Sequence, residues 1–283
     1  MDKAHKKTDK KLSKLEKELL EVYKGAYKNI DKEIRKILDN PKFKPGENNY
    51  ILISKLKRFK ELQTNIAKEI SNINKNSVER IVELLDEVSE INYEFAKEEI
   101  EIKVDNIKWG ILNPKTYKEI LKEQENPLFY LSIDDLKERS RIYNVIKKEL
   151  ALGLVQGESI PSISKRLQKV LNTNYKSATR IARTEVTRAE NSSRLSAFKH
   201  ASKLGIKQKK VWIATNDSRT RNSHKKINGE MIEIDKPFSN GLMYPGDSRG
   251  KVEEVINCRC TIGTYLVDYE KEVEWWEVIL ILN

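Results

Sequence analysis

Apolar residues recur at steps of three and four through the first third of the chain. Leu12, Leu15, Leu19, Val22, Ala26, Ile30, Ile34 and Ile37 fall on one helical stripe, which Pro41, Pro45 and Gly46 end. A second stripe runs through Leu52, Leu56, Phe59, Leu62, Ile66, Ile70 and Ile73. Residues 74–77 interrupt it, and Ser77 is placed to N-cap a third helix carrying Val78, Ile81, Leu85, Val88 and Phe95. Three such stripes pack as an antiparallel bundle or associate with other helices. The periodicity lapses around Gly110, Pro114 and Pro127, which reads as a connector with a short helix. It resumes from Ser132, with Ile142, Val145, Ile146 and Leu150 on the apolar face, and stops near Gly157. Ser159 and Pro161 then open a short helix with Ile163, Leu167 and Val170, since proline suits a first turn. A long basic helix follows over residues 176–204, closed by Gly205.

Beyond Gly205 the period shortens. Val211, Trp212, Ile213 and Ala214 form a strand candidate, and Asn228-Gly229 before Met231 and Ile232 has the composition of a hairpin turn. Tyr244-Pro245-Gly246-Asp247 is a further turn, and Cys260-Thr261-Ile262 a further strand. The pattern predicts an α+β protein with a mainly helical N-terminal half. Its C-terminal part is a small α+β unit with a long basic helix against a few short strands. Residues 1–104 form the helical region, 105–131 the connector and 132–283 the C-terminal domain. The apolar tail over residues 273–282 either completes the sheet of that domain or docks on a partner.

Composition narrows the setting. Hydrophobic residues make up 38% of 283, enough for a core, while the longest apolar run, Val278 to Leu282, is far below membrane-spanning length. The charged start lacks the apolar segment of a signal peptide, and the two cysteines, Cys258 and Cys260, are no disulfide framework. Both point to a reducing cytoplasm or something assembled there. The net charge of +11 is segregated: residues 176–226 hold 14 Lys and Arg against three acids, and the rest is balanced at 40 of each. That excess is either a solvated lysine-rich face or a surface that meets a polyanion.

Several short strings follow one another in this basic third. They are Arg183-Thr184-Glu185 within Arg180–Glu185, then Ala189-Glu190-Asn191, Gly205 and Trp212. Next come Asp217-x-Arg219-x-Arg221-x-x-His224, Gly229, Phe238, Pro245-Gly246-Asp247 and Asn257-Cys258-Arg259-Cys260. Each alone is weak, but their order and spacing are specific. Over about residues 140–267 the series resembles the Mu F-like head morphogenesis family, the minor head or minor capsid proteins of tailed phages and prophages. The resemblance implies a structural, non-enzymatic protein of the virion, inside the capsid near the portal vertex and assembled in the host cytoplasm. Its implied partners are the portal protein, capsid or scaffold proteins and packaged double-stranded DNA, with no membrane, and its implied roles are capsid assembly and DNA packaging or ejection. Some members are fused to a toxin or nuclease, for which the residues after Cys260 leave no room.

The same residues admit several chemistries. Arg183, Thr187, Glu190 and Arg194 share a helical stripe, which serves either as an ion network against the strands or as a guanidinium row for phosphates. Asp217 suits a turn cap, and Arg219 and Arg221 share a face if extended. With Lys207, Lys209 and Lys210, which follow the helix end and read as surface residues, those arginines are the DNA-binding candidates. His224, Cys258 and Cys260 match the ligand types of zinc, with Asp217 as a fourth, although the C-x-C spacing is tight. Two buried thiols or a disulfide are the alternatives, and no cofactor is otherwise implied. The enzyme alternative is a small metal-independent nuclease in which His224 is the base, flanked by Arg219 and Arg221, with Glu185 nearby.

Overall fold

The computed structural model describes residues 1–38, 57–104, 107–109 and 136–267. The connector and the tail lie largely or wholly outside the described residues, as do the side chains of Ile37, Leu52, Leu56, Phe59, Leu62, Ile70 and Ile142. The helices are α1 (Lys3–Leu38), α2 (Lys57–Glu101), α3 (Leu136–Val155) and α4 (Ile160–Lys203). After them come β1 (Gln208–Ile213), α5 (Asn222–Lys226), β2 (Met231–Glu233), α6 (Val252–Val255) and β3 (Thr261–Leu266). The α+β class holds, with helix dominant and one small sheet.

Two breaks expected within helices are not there. Residues 74–77 continue α2, with Ser77 buried mid-helix rather than capping a new one. Asparagine and serine cost only tenths of a kcal/mol in a helix. Ile73 and Ile81, both buried, keep the same face on either side, so packing overrides the local preference. Residues 172–174 likewise continue α4. Thr173 Oγ1 donates back to the Lys169 carbonyl at 3.0 Å, satisfying its hydroxyl inside the helix instead of starting another.

The chain divides into two compact units, each discontinuous because α1, α2 and α4 contribute a segment to both. The first comprises Met1–Lys14, Val82–Tyr117 and Arg180–Asn283, the second Leu15–Ile81 and Lys118–Thr179. In the second, most described members of the predicted stripes are buried: Leu15, Leu19, Ala26, Ile30 and Ile34 of α1, Ile66 and Ile73 of α2, Ile146 and Leu150 of α3, Ile163 and Leu167 of α4, while Val22, Val78, Val145 and Val170 are half-buried. Tyr23 and Tyr175 meet edge to face at 5.8 Å, and Arg80 of α2 pairs with Glu18 of α1 at 2.9 Å.

In the first unit the sheet has the antiparallel order β2-β1-β3. Its core joins Ala96 and Ile100 of α2 and Leu195, Phe198 and Ala201 of α4 to Trp212, Phe238, Leu242, Cys258, Cys260 and Ile262. Gly205 ends α4 with φ +90°, as a left-handed terminal residue does. Asn228-Gly229 is not a two-residue hairpin turn, because α5 occupies the link between β1 and β2. Gly229 has φ +81° while Asn228 stays out of the left-handed region. The Gly229 N–H donates to the Trp212 carbonyl at 2.8 Å and Asn228 Oδ1 accepts from the Ala214 N–H at 2.8 Å, so the pair returns α5 onto the end of β1.

Candidate functional site

One face of α4 reads the backbone of the Asn-Cys-Arg-Cys segment. Thr184, Thr187 and Asn191 are spaced three and four apart, so their side chains stack along one line of the helix. Thr184 Oγ1 accepts from the Asn257 N–H at 3.2 Å, and Thr187 Oγ1 donates to the Cys258 carbonyl at 2.6 Å. Asn191 donates to the Cys260 carbonyl at 3.2 Å and accepts from the Ile262 N–H at 2.9 Å. From the end of β1, Thr215 Oγ1 donates to the Arg259 carbonyl at 2.5 Å. Asn257 enters this stretch at φ 54°. An irregular buried backbone needs side-chain partners for its polar groups, and these four side chains supply them.

Next to the clamp lies a buried ion network. Arg194, 1% exposed, donates from Nε to Asn92 Oδ1 at 2.9 Å and from Nη1 to the Ile262 carbonyl at 3.2 Å. Its guanidinium forks onto Asp2 at 2.8 and 2.9 Å and lies 3.3 Å from Glu190. Glu190 in turn contacts His5 Nδ1 at 2.7 Å and accepts from Thr261 Oγ1 at 2.8 Å. Burial opposes ionisation of Asp2, but the Arg194 hydrogen bonds and charge outweigh it and hold the carboxyl at about 2. Burial also opposes protonation of His5, and Glu190 outweighs it, raising the imidazole above its ordinary value. The Glu190–Arg194 pair was legible in the sequence. Asp2, His5 and Asn92 were not, although a lone histidine among lysines was a signal. Arg183, placed on the same stripe, is exposed.

The Pro-Gly-Asp turn docks beside the clamp, against Thr187 and Arg188 of α4. Gly246 has φ +85°, and a Cβ there would sit 3.0 Å from the Arg188 nitrogen, so only glycine permits this approach. Arg188 Nε donates to the Gly246 carbonyl at 3.0 Å while its Nη1 pairs with buried Glu185 at 2.8 Å. Burial pushes the Glu185 carboxyl up, against the pull of Arg188. Asp247 accepts from the Met243 and Arg249 N–H groups at 3.0 and 3.1 Å, which shapes the turn from within.

The basic candidates separate. Lys207 is exposed, and Lys209 is half-buried and lies 3.5 Å from Glu233 across the sheet. Lys210 is buried, contrary to the surface position expected from its place after Gly205. Strand alternation puts Gln208, Lys210 and Trp212 on the inner face of β1. The Lys210 ammonium donates to the Met243 carbonyl at 2.8 Å and lies over the Phe238 ring at 5.0 Å. Burial, with repulsion from Lys199, lowers it to about 8. It is a core residue and not a DNA contact.

Asp217 caps its own turn by accepting from the Arg219 N–H at 2.9 Å, and Arg259 forks onto its two oxygens. The Arg219 side chain is 75% exposed, whereas the Arg221 guanidinium turns inward to the Ile256 carbonyl, so the two share no face. His224, 1% exposed, stacks edge to face on Trp212 at 5.0 Å. Its Nδ1 lies 3.5 Å from Cys258 Sγ and 3.5 Å from Cys260 Sγ. Its Nε2 lies 2.8 Å from Glu254 Oε2 but has no hydrogen-bond partner in line with it. Hydrogen bonding between the thiols, then burial, raises Cys258; the same bond, with help from His224 against burial, lowers Cys260. The nuclease set is not assembled: His224 faces the thiols, Arg221 a carbonyl and Glu185 the Arg188 guanidinium.

Residues 144–263, which contain every one of these contacts on the C-terminal side, match the family model described as Phage Mu protein F like protein. Over these residues the chain is similar to the Mu F-like family. Across its whole length the chain is also similar to the minor head protein GP7 of Bacillus phage SPP1. The two are 27% identical over 268 residues, which is 93% of this chain and 85% of that protein. A second relative is the NAD(+)–arginine ADP-ribosyltransferase EFV of Enterococcus faecalis. It is 33% identical over 127 residues, covering 44% of this chain but only 26% of that protein. No solved structure matches. In the Mu F-like domain the motif residues Thr184, Glu185, Asn191, Trp212, Asp217, His224, Gly246 and Cys258 are held inside the fold or against it. Arg183 and Arg219 project outward.

Proposed function

We infer that the protein is a minor structural component of the head of a tailed phage or prophage. In this reading it stands inside the capsid near the portal vertex and acts in capsid assembly and in DNA packaging or ejection. The observation that carries it is the similarity to a minor head protein along 93% of this chain and 85% of that relative. A shared domain alone would support less, since the ADP-ribosyltransferase shares only about a quarter of its length with this chain. The geometry of the Mu F-like domain supports the same reading, because Thr184, Thr187, Asn191, Arg194 and Asp217 spend their polar atoms on backbone and on neighbouring side chains.

The partners in this reading are the portal protein, capsid or scaffold proteins, and packaged DNA. Exposed cations of the basic segment, among them Lys199, Lys203, Lys207, Lys225 and Lys226, suit a sequence-independent phosphate surface. The deciding experiment is co-purification with the portal protein of the same phage or prophage, together with a deletion of this gene. Retention of the portal protein and defective or DNA-poor heads are expected. Normal infectious heads from the deletion would overturn the reading. DNA contact is tested separately by titration against salt: each phosphate contact adds about −0.9 to the slope of log K against log salt, independent of sequence.

A further inference from the structure

The buried group of His224, Cys258 and Cys260 has a chemistry that a head-assembly role leaves unused. The geometry points to a structural zinc site made by His224 Nδ1 and the Sγ atoms of Cys258 and Cys260. All three ligand atoms lie within 4.8 Å of one another, and Nδ1 is 3.5 Å from each sulfur. Around tetrahedral zinc, with bonds of about 2.3 Å to sulfur and about 2.0–2.1 Å to nitrogen, the N···S edge comes to roughly 3.5–3.6 Å. The two N···S separations already have that value. Two thiolates and one neutral imidazole leave a zinc dication with no net charge, which removes the main electrostatic cost of a buried ion.

The surroundings hold the set in place. The carbonyls of Cys258, Arg259 and Cys260 are each fixed by a side chain, from Thr187, Thr215 and Asn191. Arg259 points away from the thiols to Asp217 while both sulfurs lie 3.5 Å from His224 Nδ1, so the short C-x-C spacing is no obstacle. On the far side of the ring, Glu254 Oε2 stands 2.8 Å from His224 Nε2 and is itself bonded by Ser223 Oγ at 2.9 Å. Although it is out of line for a hydrogen bond, a carboxylate this near favours by its charge the proton on Nε2, which leaves the Nδ1 lone pair for a metal. Asp217, the fourth ligand suggested by the sequence, is committed to Arg259.

The test uses the full chain, purified without chelator or a histidine tag after expression in zinc-supplemented medium. Elemental analysis is expected to give close to one zinc per chain in the wild type and at least a tenfold loss in Cys258→Ser. Exchange of the wild type with cobalt(II) provides a second reading that does not depend on the variant folding. Thiolate-to-cobalt charge-transfer absorption with tetrahedral d–d bands is the expected result. Wild-type protein with under a tenth of a zinc per chain and no thiolate–cobalt band would overturn the proposal. So would an intact mass two hydrogens short, the sign of a Cys258–Cys260 disulfide. The head-protein reading stands or falls on phage assembly, so the two fail independently.

Discussion

The second unit and the Mu F-like part of the first are held together in different ways. In residues 15–81 and 136–179 the helices bury periodic isoleucine and leucine stripes, and the polar links between them, such as Arg80–Glu18, lie at the surface. In residues 180–267 the strands are short, and long-range side-chain hydrogen bonds from α4 carry the irregular backbone between them. An apolar stripe tolerates any residue of similar size and shape. A buried hydrogen-bond network does not, because each lost partner leaves a desolvated polar group. This contrast explains why the recognisable strings all fall in the second region while the first shows only a period.

Mutations at the network test that contrast most strongly. Arg194→Met strands buried Glu190 and the Ile262 carbonyl, and should cost about 3–5 kcal/mol by urea unfolding. A loss below about 1 kcal/mol would show that the network is ornamental. Asn191→Ala removes both bonds to the Cys260–Ile262 backbone and should cost about 2–3 kcal/mol, given about 1–3 kcal/mol for each buried unsatisfied group. Equal losses from an isosteric change in an α1 stripe, such as Ile30→Leu, would erase the distinction.

Lys210 sharpens the comparison through pH. Its folded value of about 8 lies below the ordinary 10.5, so between these values the unfolded chain binds the additional proton. Stability should therefore rise with pH across that window, by about 1.4 kcal/mol per unit from this group alone. The rise should be missing from Lys210→Met relative to wild type in chemical unfolding at pH 8 and 10. A wild-type and variant pair with parallel pH profiles would place the ammonium in solvent. The smallest effect belongs to the second unit: Glu18→Ala removes an exposed ion pair and should shift stability by no more than about 1 kcal/mol.

What was legible follows the same division. Periodicity located α1, α2 and α3 and the residues they bury, since a helix face is read from spacing alone. It misjudged continuity at residues 74–77 and 172–174, where weak local preferences yield to packing on both sides. Motif order located the Mu F-like region, and the Glu190–Arg194 pair was readable from its four-residue step. Asp2, His5 and Asn92 come to that pair from sequence separations of roughly 100 residues or more, which no local pattern encodes.

The sequence by itself determined the α+β class, the resemblance to the Mu F-like family and the i, i+2 spacing of Cys258 and Cys260, because each depends on neighbours in the chain. Only the tertiary structure decided that Lys210 is a core residue while Lys207 is a surface one. It also decided that Arg221 turns inward while Arg219 does not, and that His224 meets both thiols at one distance. Strand register and loop closure set those outcomes. A shift of one residue in β1 would exchange Lys210 for Lys209, with no change in composition, charge or motif.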